Sequence, residues 1–222
     1  MSLSGPAMLI NFMNIDAEYE QDFNRWYDKE HLEERVAIPG FLEARRYVAV
    51  DAPQKYLGLY TTDGIKVLDS PAYRERLAHQ TPWSLKNIAR FQDATRACAR
   101  LVISRGVGRG AALGFVRLRP VDDVAASNVN LHTRIDAALD LNGVISVHVL
   151  ASDPELSKPL TDDPDAAAGA KDWYILIDAT GQEALEPAEQ ALNLVAIEGG
   201  LKCVSTGRYR LLWDLSQSEL AI

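Results

Sequence analysis

Apolar and polar positions along the chain fall into short runs whose order is given twice. Met8–Asn14, Phe41–Val50, Tyr56–Thr62 and Ala97–Arg105 read as strands. Helical segments Ala17–Ile38 and Pro71–Asp93 lie between the first and second strands and between the third and fourth. After Gly106–Gly110 the order recurs: strand Ala112–Arg119, helix Asp122–Leu141, strands Val144–Ala151 and Trp173–Asp178, helix Glu183–Ile197, strand Leu201–Trp213. A β-α-β-β-α-β unit leaves one face of its sheet uncovered, so two units in one chain can bury those faces against each other. The pattern predicts an α+β chain of two units, residues 1–106 and 107–222, closed over each other as a pseudo-dimer, with any pocket lying between sheet and helices.

Local punctuation sharpens this layout. Asp16 is placed to cap the first helix, and Gly40, after Pro39, stops it before Phe41; Asn142–Gly143 is the matching junction in the second half. Ser70–Pro71 reads as an N-cap followed by an N1 proline, and Pro82 predicts a break near His79–Pro82 because it lacks a backbone donor. Asp51–Lys55 is a tight connection, whereas its counterpart, Ser152–Lys171, is long and acidic and reads as a lid or a solvated loop. Along Phe41–Val50, Leu42, Ala44, Arg46 and Val48 alternate with Phe41, Glu43, Arg45 and Tyr47, which puts one arginine on each side of the sheet.

Composition narrows the function class. A net charge of −8 argues against a general nucleic-acid partner, since phosphate binding needs clustered Lys and Arg. No apolar run approaches the roughly 18–20 residues that cross a bilayer, and the start MSLSGPAMLINF lacks the features of a secretion signal. A cytoplasmic protein without a membrane partner is the expectation. Cys98 and Cys203, near the start of the fourth strand of each half, have neither disulfide nor metal-ligand spacing and read as small buried side chains.

The densest chemistry lies in Phe23-Asn24-Arg25-Trp26-Tyr27-Asp28-Lys29-Glu30-His31-Leu32-Glu33-Glu34-Arg35. At about 100° per residue, Phe23, Tyr27, Glu30, His31 and Glu34 share one arc, with Trp26 at its edge. A helix on a sheet normally buries only apolar groups there. Glu30, His31 and Glu34 therefore line a polar cavity or lie at its margin, unless this is a solvated face on which Arg35 and Lys29 oppose the glutamates. In the functional reading His31 is the general acid or base, Glu34 or Glu30 orients it, and Arg46 anchors a carboxylate or enolate oxygen. Phe23, Trp26 and Tyr27 form an apolar wall, and Tyr47, Tyr56 and Tyr60 either donate phenol hydrogens or pack. Asn11, between Ile10 and Phe12, and His79, beside the Pro82 break, are further candidate substrate contacts.

The second half carries no such cluster. His132 borders an ordinary apolar stripe and His148 alternates with Val147 and Val149 as a core histidine, so a single pocket belongs to the first half. Gly106–Gly110 precedes a strand instead of a helix and reads as a linker, not a phosphate loop. HExxH, CxxC, GxSxG and P-loop patterns are missing, so no metal and no cofactor is expected.

The residues Phe23, Trp26-Tyr27, Glu30-His31, Arg35, Ile38-Pro39-Gly40-Phe41, Arg45-Arg46-Tyr47, Tyr56-Leu57, Tyr60 and Ser70-Pro71-Ala72-Tyr73 resemble the dimeric α+β barrel superfamily, especially its EthD-like branch. The resemblance covers the first half in residue pattern and the second only in element order. It implies two ferredoxin-like units whose sheets form one barrel, with a pocket between each unit's helices and sheet, and it places the EthD-like helix histidine on His31. Relatives include cofactor-independent monooxygenases, lactone isomerases, polyketide cyclases and haem-degrading enzymes, so fold does not choose the chemistry. Asn11 and His79 fit the haem-degrading pattern loosely, but Trp83 falls after His79 instead of well before it.

These readings converge on a cofactor-independent enzyme acting on a small aromatic or ketone-like compound by proton transfer, of lyase, isomerase or cyclase type. The alternatives are a non-catalytic small-molecule binding or assembly protein and a cofactor-free monooxygenase of activated phenols. A chain that covers its own sheet faces is expected to be a monomer or a homodimer.

Overall fold

Strand pairing decides this architecture. The computed structural model describes residues 3–120, 128–158, 169–193 and 201–220. Eight strands form one closed antiparallel barrel: β1 (Ala7–Asn14), β2 (Phe41–Asp51), β3 (Tyr56–Thr62), β4 (Gln92–Gly106), β5 (Ala112–Pro120), β6 (Val144–Ser152), β7 (Trp173–Ala179) and β8 (Leu201–Ser216). Their order around the barrel is β1-β3-β2-β8-β5-β7-β6-β4, so β4-β1-β3-β2 of one half repeats as β8-β5-β7-β6 of the other. The two longest strands make the joints. β4 pairs with β1 through Gln92–Arg100 and with β6 through Ala99–Gly106, while β8 pairs with β5 through Leu201–Arg210 and with β2 through Arg208–Ser216.

Helices cover the outside. The first half carries α1 (Glu20–Trp26), a π turn over Tyr27–His31, α2 (Leu32–Val36), α3 (Pro71–Ala78) and α4 (Pro82–Ile88); the second carries α5 (Asn128–Leu139) and α6 (Leu185–Leu192). The break before Pro82 follows from its missing donor, and Ser70 and Thr81 cap the two resulting helices by accepting from Tyr73 N and Ser84 N. Asp16 does not cap α1, which begins at Glu20; its carboxylate accepts from Gln92 instead. β4 begins at Gln92, so Gln92 and Asp93 belong to the strand and not to the preceding helix. The early part of the second-half helix at 122–127, the stretch 194–197 and the middle of the Ser152–Lys171 segment at 159–168 lie outside the described residues.

Side-chain alternation sorts the sheet into an inner and an outer face. Met8, Ile10, Phe12, Leu57, Leu59, Leu113, Phe115 and Leu176 fill the barrel, with Phe12 and Phe115 meeting edge to face at 4.6 Å. Outside the second half, Leu131, Ile135, Leu185 and Leu192 pack on Val147, Val149, Ile175 and Ile177. On β2, Arg45 and Tyr47 face into the barrel and Arg46 faces the helices. Phe41 departs from the predicted alternation and packs on the helix side, because the β2–β3 register shifts between Phe41 and Glu43.

Inside the barrel Arg45 meets Asp178 of the other half at 3.2 Å, both fully buried. Asp178 also accepts from Gly110 N at 3.3 Å, yet burial outweighs Arg45 and pushes its carboxyl up. His148 is held on Ser104 at 3.1 Å and Ser146 at 3.0 Å, a core histidine with both ring nitrogens engaged. A buried pair of this kind adds little net stability, whereas removing one partner strands the other charge. Arg45→Met is expected to cost about 3–5 kcal/mol. Arg45→Met combined with Asp178→Asn, which keeps an acceptor for Gly110, should recover most of that loss in urea unfolding at neutral pH.

Candidate functional site

The π turn explains which side chains reach the site. Such a turn takes one residue more than an α turn, so everything after it is rotated back by about 100°. On a regular helix Glu34 would lie in the arc that Phe23 and Tyr27 begin. After Tyr27–His31 that place passes to Arg35, and Glu34 swings out toward α3, where it meets Arg76 at 3.5 Å. Phe23, Trp26, Tyr27, His31, Leu32, Arg35 and Val36 are accordingly buried.

His31 is enclosed by aromatic rings. Trp26 lies 4.2 Å from it, centroid to centroid, Tyr27 4.9 Å and Tyr60 6.3 Å. Its Nδ1 has no hydrogen-bond partner among the described residues. Burial first, then the cations Arg35 and Arg46, hold the imidazole well below its ordinary pKa, so it is neutral at pH 7. Trp26 is fixed in turn: its indole N–H donates to Ser84 at 3.0 Å, and Ser84 and Thr81 donate to Glu30 at 3.2 and 2.6 Å. Glu30 thus ties the π turn to α4 and does not touch the imidazole.

Arg46 stands over Tyr27, Tyr56 and Phe23 at 4.4, 5.1 and 5.3 Å. It donates to Asp28 at 2.9 Å and to Asn24 at 2.5 Å. Trp213, on β8 of the second half, donates to the same Asp28 oxygen at 2.9 Å, so each half contributes to holding this guanidinium. Tyr56 donates to Glu20 at 2.6 Å, and burial with that carboxylate raises its phenol to about 12. Burial and Tyr27 push the Tyr60 phenol well above its usual value. Gly58 lies between the two phenols; a Cβ there would sit 3.5 Å from the Tyr60 oxygen and 3.7 Å from the Tyr27 oxygen.

The structure therefore brings His31, Arg46, Phe23, Trp26, Tyr27 and Tyr60 together. It does not bring in Glu34, which faces Arg76, nor Tyr47, which lies in the barrel on the opposite face of β2 from Arg46. His79 is exposed and pairs with Glu75 at 3.0 Å, because α3 ends there and turns it to solvent. It lines an open cleft of about 400 Å³ with Ile38, Ala72 and Arg76, and His31 is not part of that cleft. Asn11 is half-buried on β1 opposite Gly58 in register and makes no side-chain hydrogen bond among the described residues. Sequence reasoning missed Asn24, Asp28, Trp213 and the burial of Arg35. The i,i+4 spacing of Asn24 and Asp28 was a usable signal for the first two; Trp213 comes from the far end of the chain. Burial raises the Cys98 thiol to about 11, as befits an inert core cysteine. Among the described residues no group of His, Cys, Asp and Glu could hold a metal, and no helix is long and apolar enough to cross a membrane.

Two buried histidines set an acid limit. In the unfolded chain both titrate near 6.5, whereas folded His148 is pulled down to about 4 by burial and Arg45, and His31 well below its ordinary value. Below pH 6.5 the unfolded state takes up protons that the folded state refuses, so stability falls as pH drops toward 4. His148 accounts for roughly 3 kcal/mol of that fall. Urea midpoints measured from pH 7 to 4 should decline steeply, and His148→Gln should flatten the curve.

No protein-family model matches the chain, and no curated protein matches it either. Solved structures do. An anthrone oxidase-like protein superposes with a TM-score of 0.61 at 10% identity, over 97% of this chain and 95% of that one. A candidate monooxygenase from Lactobacillus acidophilus gives 0.58 at 9% identity, over 96% and 97%. A heme-binding protein from Thermus thermophilus gives 0.52 at 12% identity, over 99% and 94%. Haem does not fit the histidines of this chain: His31 is packed among rings, His79 is exposed, His132 lies against Arg105, and His148 has both ring nitrogens on serines. What the likenesses share with this protein is a closed eight-stranded antiparallel barrel with helices outside, the fold of the dimeric α+β barrel proteins.

Proposed function

We propose that the first half binds a small aromatic compound and removes a proton from it, with His31 as the base and Arg46 stabilising the anion that forms. The observation that carries this reading is a neutral, buried imidazole whose Nδ1 has no partner, set among aromatic rings and beside two guanidinium groups. A neutral imidazole accepts a proton from an acidified C–H or O–H. The imidazolium so formed is disfavoured beside Arg35 and Arg46 until the substrate anion appears among the three cations, so the site favours the charge-separated state over the bare conjugate acid. Trp26, Tyr27 and Phe23 supply the apolar wall and keep water away. The chain is read here as two ferredoxin-like units in tandem, related to the EthD-like branch, in which only the first unit keeps a site.

A second reading is favoured by the neighbours named anthrone oxidase-like and monooxygenase. In it the carbanion formed by proton removal at His31 is oxidised by molecular oxygen: a C–O bond forms at that carbon, the O–O bond breaks, one oxygen stays as the product carbonyl and the other leaves as water with the two protons lost from carbon. Both readings share the first step and part at oxygen consumption.

A thermal-shift screen against hydroxyaromatic, anthrone-type and β-keto compounds should find a ligand that raises the unfolding midpoint. His31→Phe, which keeps a ring in the cage, should lower turnover of that compound by about 100-fold or more without lowering the midpoint of the free protein. Near-parental turnover by His31→Phe removes the histidine from the mechanism, and an oxygen electrode separates the two readings.

A further inference from the structure

We propose that the ligand of this site carries a carboxylate, and that Arg35 is the group that receives it. This rests on the aromatic-site reading above and names the substrate class.

Arg35 is 4% exposed, and it makes no ion pair or hydrogen bond among the described residues. Its Nη1 is buried without an acceptor. Arginine is almost never buried unless paired, because a charge taken out of water is costly unless an opposite charge or several acceptors replace the lost hydration. The acids of the same helix are all committed elsewhere or point away. Glu20 serves Tyr56 and Lys55, Asp22 serves Trp83, Lys86 and Arg90, and Asp28 serves Arg46 and Trp213. Glu30 receives Thr81 and Ser84, Glu34 faces Arg76, and Glu33 is exposed. Of these acids Glu34 alone is coupled through space to Arg35, and its carboxylate is turned to Arg76, so among the described residues no carboxylate closes directly on this guanidinium.

Two more polar atoms of the same cluster, Arg46 Nε and His31 Nδ1, are buried without a partner among the described residues, while the Tyr60 phenol lies against that of Tyr27. Their electrostatic coupling places them with Arg35 in one neighbourhood, since both guanidiniums act on His31, Tyr27 and Tyr60. Two guanidinium groups are suited to a carboxylate, whose two oxygens match the guanidinium fork. The surrounding rings suit an aromatic body. The reacting C–H or O–H of such a compound would face His31 while its carboxylate, unchanged through the reaction, stays on Arg35.

The test is calorimetric titration of the full chain at low salt with benzoate, salicylate and naphthoate, each against its neutral amide, together with unfolding midpoints. The acids are expected to bind at least about tenfold tighter than the amides, with an affinity that falls as salt is added. Arg35→Met should erase the preference while the free variant melts no lower than the parent, because methionine fills the site without a stranded charge. A purely structural arginine would instead lower the midpoint. If Arg35→Met does not fold, Arg35→Lys decides: a weakened preference for acids supports the proposal and an unchanged one overturns it. Equal binding of acids and amides overturns the carboxylate while leaving the aromatic site standing. A preference that survives in Arg35→Met overturns the role of Arg35, and failure of every compound to bind overturns both this proposal and the function it rests on.

Discussion

Closure of the sheet is the constraint on which the other features hang. Neither half has a complete set of strand neighbours until β4 and β8 each divide their hydrogen bonds between both halves. An unpaired edge would expose a row of backbone donors and acceptors, and closing the ring removes every such edge. It also fixes an inside and an outside. Consecutive residues on β2 then have opposite fates: Arg45 crosses the barrel to Asp178, while Arg46 packs over the Phe23 and Tyr27 rings on the helix side. Two neighbouring arginines thus serve two unrelated purposes because the pleat has a period of two.

Within that frame the π turn decides which side chains of the first helix meet the sheet. It admits one extra residue into the helix, and the phase change exchanges a carboxylate for a guanidinium on the face that meets the sheet. The interior becomes cationic and aromatic. Hydrogen bonds from Thr81 and Ser84 to Glu30 hold the turn from the α4 side, so a helix started by a proline break supports the geometry around His31.

Most of the fold was legible because its signals are local. The β-α-β-β-α-β order, the Pro82 break, the glycine junctions and the opposite facing of Arg45 and Arg46 all follow from periodicities of two or 3.6 and from backbone chemistry. On the first helix the site was legible as far as His31, and Arg46 and Tyr60 were legible on their strands. After His31 the helical wheel misplaced Glu34 and Arg35, because it assumed an unbroken α-helix and nothing in the residues Tyr27–His31 marks a π turn. Tyr47 was misplaced for a different reason: alternation puts it on the Arg45 face, but which face looks toward the helices is a tertiary fact. Trp213 reaches Asp28 only because β8 crosses into the first half, a contact between residues 185 positions apart.

That crossing has a further consequence. A barrel assembled from two identical chains repeats every substitution across its symmetry axis, so a mutation useful in one chamber is imposed on the other. Here each chamber is encoded once. Among the described residues the helix side of the first half holds a buried imidazole and two guanidinium groups, while that of the second is packed mainly with leucine, isoleucine and valine. A substitution on one side of the barrel therefore leaves the corresponding position on the other side unchanged.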